Sequence, residues 1–210
     1  SGARAVVAVA GEEGATAAQA RKNPARGLLI MMAGFFGFAA GMMQQFSSDA
    51  ATGARGAAVG AMGVTVCMIG QLFGKFGLGW LCDHTGARVS GVVASIFGAA
   101  GIAIVLFSVD NAMMFYVGVF LFGIGFAALN IVPPMACRQA FGQKDYANIF
   151  SMVATGLNVF SGFSALIYAQ IFDITGSFAG CFYLIIGFYV VTLICSLVIV
   201  PMGRRSWAKK

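Results

Sequence analysis

The chain alternates long apolar stretches with short polar and charged clusters. Uncharged runs extend from Gly27 to Ser48, from Gly56 to Cys82 with Lys75 as the one interruption, and from Val89 to Val109. Three more follow, from Asn111 to Cys137, from Tyr146 to Phe172 and from Ile174 to Gly203. Each can hold the roughly 20 residues that cross a bilayer core at about 1.5 Å per residue. The pattern predicts an all-α, polytopic membrane protein with a bundle of six transmembrane helices.

Asn23 and Pro24 favour the start of the first helix, which is expected to run to about Phe46. The second should span Gly56 to Leu81, the third Val89 to Phe107 and the fourth Met113 to Val132, where Pro133 and Pro134 end it. A connector holding Arg138, Gly142, Lys144 and Asp145 leads to a fifth helix from Asn148 to Phe172, and Thr175 with Gly176 turns the chain into the sixth. Three segments follow: a flexible interdomain linker over residues 1–25, a helical bundle over 26–203 and a basic tail over 204–210. The linker has no initiator Met and no secretory pattern, so the chain reads as a piece of something longer.

Composition agrees with the pattern: 60% of residues are hydrophobic and 10% charged, and the mean hydropathy is +0.88. The 29 glycines suit helices that associate in lipid by close backbone approach. Gly37 with Gly41, Gly56 with Gly60, and Gly70 with Gly74 each have small-xxx-small spacing. The net charge of +6 is spread over short loops, which argues against nucleic acid as a partner. With six crossings, Arg21, Lys22, Arg26, Arg88, Arg138, Lys144, Arg204, Arg205, Lys209 and Lys210 fall on one face and Arg55 on the other. Basic residues are retained inside the cell, so a multi-pass protein of the cell membrane with both termini cytoplasmic is expected.

Cys67, Cys82, Cys137, Cys181 and Cys195 occur singly, without the spacing of a zinc site. The one histidine, His84, lies in a loop, and there is no paired-carboxylate cluster or phosphate-binding glycine loop. No catalytic residues, metal or cofactor are expected, and the chain does not read as an enzyme.

The chemistry lies in two stretches. Lys75 is eight residues before Asp83, about 12 Å of helix rise inside the membrane end. It either snorkels toward water or faces a water-filled cavity, where a fixed cation attracts an anion. Gln71 lies four residues earlier on the same helical face and Met68 continues it. On the fifth helix Ser151, Thr155, Asn158 and Ser161 make one face polar, suited either to bonding between helices or to lining a pathway. Asn130, near the prolines, reads as structural. No Asp or Glu lies well inside any expected helix.

Gly79, Asp83, His84, Thr85, Gly86, Ala87 and Arg88 resemble the cytoplasmic loop signature of the major facilitator superfamily, G-x-x-x-D-R/K-x-G-R/K-R/K. Gly79, Asp83, Gly86 and Arg88 match it, and His84 and Ala87 depart from it. Within that superfamily, Gly74 and Lys75 ahead of Gly79 to Asp83, the stretch PPMACRQAFGQKDYANIF, and IFDITGSF are similar to the oxalate/formate antiporter and monocarboxylate transporter group. The resemblance covers residues 27 to 203 and implies helices seven to twelve of a twelve-helix transporter, with an N-terminal six-helix half of the same transporter as partner.

It further implies Gly79, Asp83, Gly86 and Arg88 as a cytoplasmic gating loop, and Lys75 as the contact for a substrate carboxylate. Gln71, Asn158 and Ser161 would be its hydrogen-bonding wall. The exchangers' second cation is missing between Tyr146 and Phe172, and the proton-coupled carriers' acidic residue is replaced by Gln71; one cation without a carboxylate favours a small monoanion. The expected function is secondary active transport of a small, monocarboxylate-like organic anion by alternating access, as antiporter or symporter. Efflux of larger apolar compounds and a non-transporting scaffold or sensor are the alternatives.

Overall fold

The computed structural model describes residues 16, 20, 23–43, 45–46, 56–108 and 111–204. Most of the expected linker, the loop holding Arg55 and the tail beyond Arg204 lie outside the described residues. Those that are described form helices joined by short turns, with no strand among them.

Helix α1 runs Pro24–Ala40. Asn23 caps it by accepting from the Ala25 N–H at 2.9 Å, and Pro24 occupies the first turn, where its missing N–H costs nothing. Helix α2 (Ala57–Thr85) and α3 (Ala87–Phe107) are separated by Gly86 alone, whose φ of 88° reverses the chain. Helix α4 (Ala112–Ala127) is capped by Asn111, which accepts from Met113 N at 3.0 Å and Met114 N at 3.2 Å. A 3-10 turn, Ala128–Asn130, leads into α5 (Val132–Phe141). Helix α6 spans Tyr146–Thr175 and ends at Gly176 in the left-handed conformation, and α7 spans Ala179–Arg204.

Five stretches are long and apolar enough to cross a membrane: α2, α3, α4 together with α5, α6 and α7. They fit a multi-pass membrane protein. The first of the six expected helices is different. Helix α1 is apolar but has 17 residues, and at Gly41 the chain makes a turn before Met42, Met43, Gln45 and Phe46 are helical again. The Gly41 N–H bonds back to the Phe38 carbonyl at 3.2 Å, and that carbonyl also accepts the buried Tyr168 hydroxyl of α6 at 2.7 Å.

Two expectations about ends are corrected. Pro133 and Pro134 do not close the fourth helix; they open α5, since a helix's first turn needs no N–H from those positions. The charged loop expected after the second helix is mostly helix, because α2 continues through Asp83 to Thr85. Thr85 Oγ1 donates to the Leu81 carbonyl at 2.7 Å within that last turn.

The packing repeats. Counting α4 and α5 as one span, α1, α2 and α3 form one triplet and α4–α5, α6 and α7 a second. Helix α2 lies along α4 as α6 lies along α1, α3 lies along α4 as α7 lies along α1, and α3 and α7 pack on each other. Both triplets are interrupted at similar points of their first member, at Gly41 and at Ala128–Asn130. Helices α2 and α6 are thus the two edges of the bundle.

Contacts between helices are made by backbone. A Cβ on Gly74 would stand 2.8 Å from the Ile124 carbonyl of α4, and one on Gly37 would stand 2.7 Å from the Leu157 carbonyl of α6. Gly70 faces the Phe120 carbonyl and Gly41 the Ser164 hydroxyl in the same manner. Gly56 instead caps α2, and a Cβ there would meet nothing within 4 Å. Phenylalanines fill the remaining space, as where Phe46 meets Phe122 edge-on at 5.2 Å.

Candidate functional site

Helix α2 has 29 residues with Gln71 at its midpoint, so Lys75 sits one turn, about 6 Å, from the helix centre. Lys75 is exposed and Gln71 half-buried; no hydrogen bond or ion pair joins Lys75 to another described residue. At about 100° per residue, the outer surface of α2 divides into two sectors. Met62, Ile69, Phe73, Phe76 and Trp80 form one, all exposed and all large and apolar. Thr65, Met68, Leu72, Lys75, Gly79 and Asp83 form the other, which mixes polar groups with the exposed Met68 and Leu72 and has Gln71 at its edge.

Helix α6 divides in the same way. Val159, Phe163, Leu166 and Ile174 are exposed on one side. On the other, Ser151, Thr155, Asn158, Gly162, Ala165 and Ala169 recur at alternating steps of four and three, and all are exposed. The hydroxyls there bond to their own helix: Ser151 Oγ donates to the Asn148 carbonyl at 2.9 Å and Thr155 Oγ1 to the Ser151 carbonyl at 2.8 Å. Ser161 is half-buried, and its carbonyl accepts from Ser164 at 2.6 Å. Asn130 lies exposed in the 3-10 turn.

Lys75 and Gln71 therefore stand on one edge of the bundle, and Asn158 and Ser161 on the other. Within this chain the four do not converge. Gly79 and Asp83 are in α2, Gly86 is the single hinge residue and Arg88 is exposed in the first turn of α3. No ion pair joins Asp83 to Arg88.

The hinge is held by residues that sequence reasoning missed. Gln139 of α5 accepts the Ala87 N–H at 3.0 Å, capping α3 from 52 residues away. Ser90, buried, donates to the Leu78 carbonyl at 3.1 Å and binds α3 to α2. His84 Nδ1 lies 2.8 Å from the Trp80 carbonyl, and the two rings meet at a tilt of 33° with centroids 4.4 Å apart. No local signal marks Gln139, because its partner is distant in sequence; Ser90, by contrast, is a polar residue on an otherwise apolar helix. No group of three or more His, Cys, Asp or Glu able to hold a metal occurs among the described residues.

Compared with known proteins, the chain matches no family model and no curated relative.

Proposed function

We propose that this chain is one six-helix half of a major-facilitator-type secondary transporter that carries a small organic anion across the cell membrane by alternating access. Lys75 is the cation that attracts the substrate carboxylate. Gln71 supports it, Asn158 and Ser161 form the opposite wall, and Gly79, Asp83, Gly86 and Arg88 gate the cytoplasmic side. The N-terminal half covers the Lys75 sector of α2 and the Asn158 sector of α6, and both termini lie in the cytoplasm.

The observation that carries this reading is the two-sector surface of both edge helices. Lipid accounts for the sector of Phe73, Phe76 and Trp80. It does not account for a lysine with no partner among the described residues, since a charge at mid-membrane on a lipid face costs about 2.5–3.5 kcal/mol or more. With Gln71 at the midplane of a core about 30 Å thick, Lys75 starts roughly 9 Å short of the interface. Its four-carbon stem reaches roughly 6 Å. The repeated packing of the two triplets adds support, because nested three-helix repeats are a mark of such transporters.

Uptake into proteoliposomes by the full-length protein tests the proposal with a panel of formate, acetate, lactate and oxalate. Lys75→Gln removes a charge-assisted hydrogen bond and should weaken apparent affinity at least about tenfold, with Lys75→Arg recovering part of it. Unchanged uptake of every carboxylate by Lys75→Gln would refute the anchor.

A further inference from the structure

Helices α3 and α7 meet along an antiparallel seam. A Cβ on Gly91 would stand 2.5 Å from the Ser196 hydroxyl, and one on Gly98 would stand 2.7 Å from the Tyr189 hydroxyl. The steps match, since Ser95 falls between the two glycines as Thr192 falls between Tyr189 and Ser196. All six residues are buried. Beyond Gly98 the seam turns apolar, with Ile102 and Ile185 next in step and both fully buried.

Three of the four hydroxyls on this seam are satisfied without crossing it. Ser95 donates to the Gly91 carbonyl, Thr192 to the Phe188 carbonyl and Ser196 to the Thr192 carbonyl, each at 2.8 Å and within its own helix. The fourth is not. Tyr189 is 2% exposed, its ring meets Phe36 of α1 and Phe122 of α4 edge-on, and its buried hydroxyl has no hydrogen-bond partner among the described residues. At the tip of a ring it stands too far out to bond its own helix as serine and threonine do. Phenylalanine would fill the same space without leaving a buried donor unpaired, so this packing alone does not explain the hydroxyl.

An acceptor lies one turn away. Ser95 has its proton committed to Gly91 and keeps lone pairs on Oγ free to accept. A move of α7 by one turn, about 5 Å, toward the Gly91 end of α3 brings Tyr189 over Ser95, Thr192 over Gly91 and Ile185 over Gly98. Gly91, Ser95 and Gly98 are all small, so α3 accepts the side chains of α7 in either register. None of the three hydroxyl bonds has to break, because each lies within one helix. Helix α7 packs mainly on α3 and α1 and only lightly on α6, to which the turn at Gly176 joins it. One-turn steps of this kind are an established way for packed elements to move past one another.

We propose that α7 has two registers on α3, one turn apart, and that Tyr189 Oη donates to Ser95 Oγ in the second. The hydroxyl destabilises the first register and stabilises the other, which keeps the two close in free energy. The proposal rests on helix packing and does not depend on transport, so the register shift and anion uptake succeed or fail separately.

Spin labels read the register directly. Val89 of α3 and Tyr183 of α7 are both exposed and lie roughly 22 Å apart along the seam. Labels on Val89→Cys and Tyr183→Cys are selective, because Cys67, Cys82, Cys137, Cys181 and Cys195 are buried. Double electron–electron resonance on the reconstituted chain should give two distances, the shorter by up to about 5 Å. Tyr189→Phe and Ser95→Ala should each remove the shorter one, and Tyr189→Phe should also raise the apparent Tm by about 2–4 °C. A single distance in the starting protein overturns the proposal, as does a shorter distance that survives either substitution. A Tm of Tyr189→Phe at or below that of the parent means that the hydroxyl is already paired, and overturns it as well.

Discussion

Gly74→Ala and Gly77→Ala place the same methyl on the same helix three residues apart, and their effects on stability should have opposite signs. At Gly74 the methyl would lie 2.8 Å from Ala127 Cβ, Ile124 Cα and the Ile124 carbonyl, where ordinary contact begins at 3.4 Å. Two of those three atoms are backbone, so α2 itself must retreat from α4 by about half an ångström or more. A gap of that size forfeits a quarter to a half of the dispersion energy of the atoms it separates, and overpacking of this kind costs about 1–3 kcal/mol. Helix propensity returns about 1 kcal/mol, for a net loss of about 1 kcal/mol. At Gly77 the methyl meets nothing within 4 Å, and the propensity gain of about 1 kcal/mol stands alone.

The two variants should therefore differ by about 2 kcal/mol, or about 4–8 °C in apparent Tm for a chain of this size. The protein carries its own reporter, because Cys67, Cys82, Cys137, Cys181 and Cys195 are all buried thiols. A fluorogenic maleimide followed through a thermal ramp in detergent reads their exposure. Equal shifts in the two variants, or a larger loss for Gly77→Ala, would refute the close α2–α4 contact.

Gln139→Ala removes the acceptor that caps α3 and should cost about 0.5–2 kcal/mol, read as a lower Tm in the same assay. Gly86→Ala forces a side chain into a φ of 88° with ψ of 169° and toward the Gln139 amide at 3.2 Å, costing about 1–3 kcal/mol; a Tm equal to that of the parent would count against the hinge. Tyr168→Phe deletes the hydroxyl on the Phe38 carbonyl, at about 0.5–1.5 kcal/mol, and should raise deuterium uptake around Gly41 while leaving α3 unchanged.

The helical fold was legible because charges rarely enter hydrocarbon: the gaps between charged residues fall close to α2, α3, α6 and α7. Ends were less legible. Asp83 to Thr85 look like a loop by composition, yet side chain–backbone bonds from His84 and Thr85 keep them helical. The prolines at 133 and 134 carry the same local signal whether they stop one helix or start another, and only the 3-10 turn before them decides. At the turn before Gly41 the Phe38 carbonyl accepts the Tyr168 hydroxyl as well as the Gly41 N–H, and no local signal marks a partner 130 residues away.

Which way each helix faces was the hardest thing to read, for a physical reason. In water polarity separates inside from outside, but in a bilayer both sides of a helix can be apolar and size separates them instead. The buried stripe of α2 is Gly60, Gly63, Cys67, Gly70 and Gly74, while Phe73, Phe76 and Trp80 point outward. By that rule small residues mark helix contact and large ones mark lipid. The exposed row on α6 from Ser151 through Thr155, Asn158, Gly162 and Ala165 to Ala169 is small or polar throughout, so it has the composition of a contact face with no helix of the described residues upon it. Lys75 lies on the outward sector of the other edge helix beside the large exposed Met68 and Leu72, so there the size rule alone does not decide, and it is the charge that the proposed second bundle would answer.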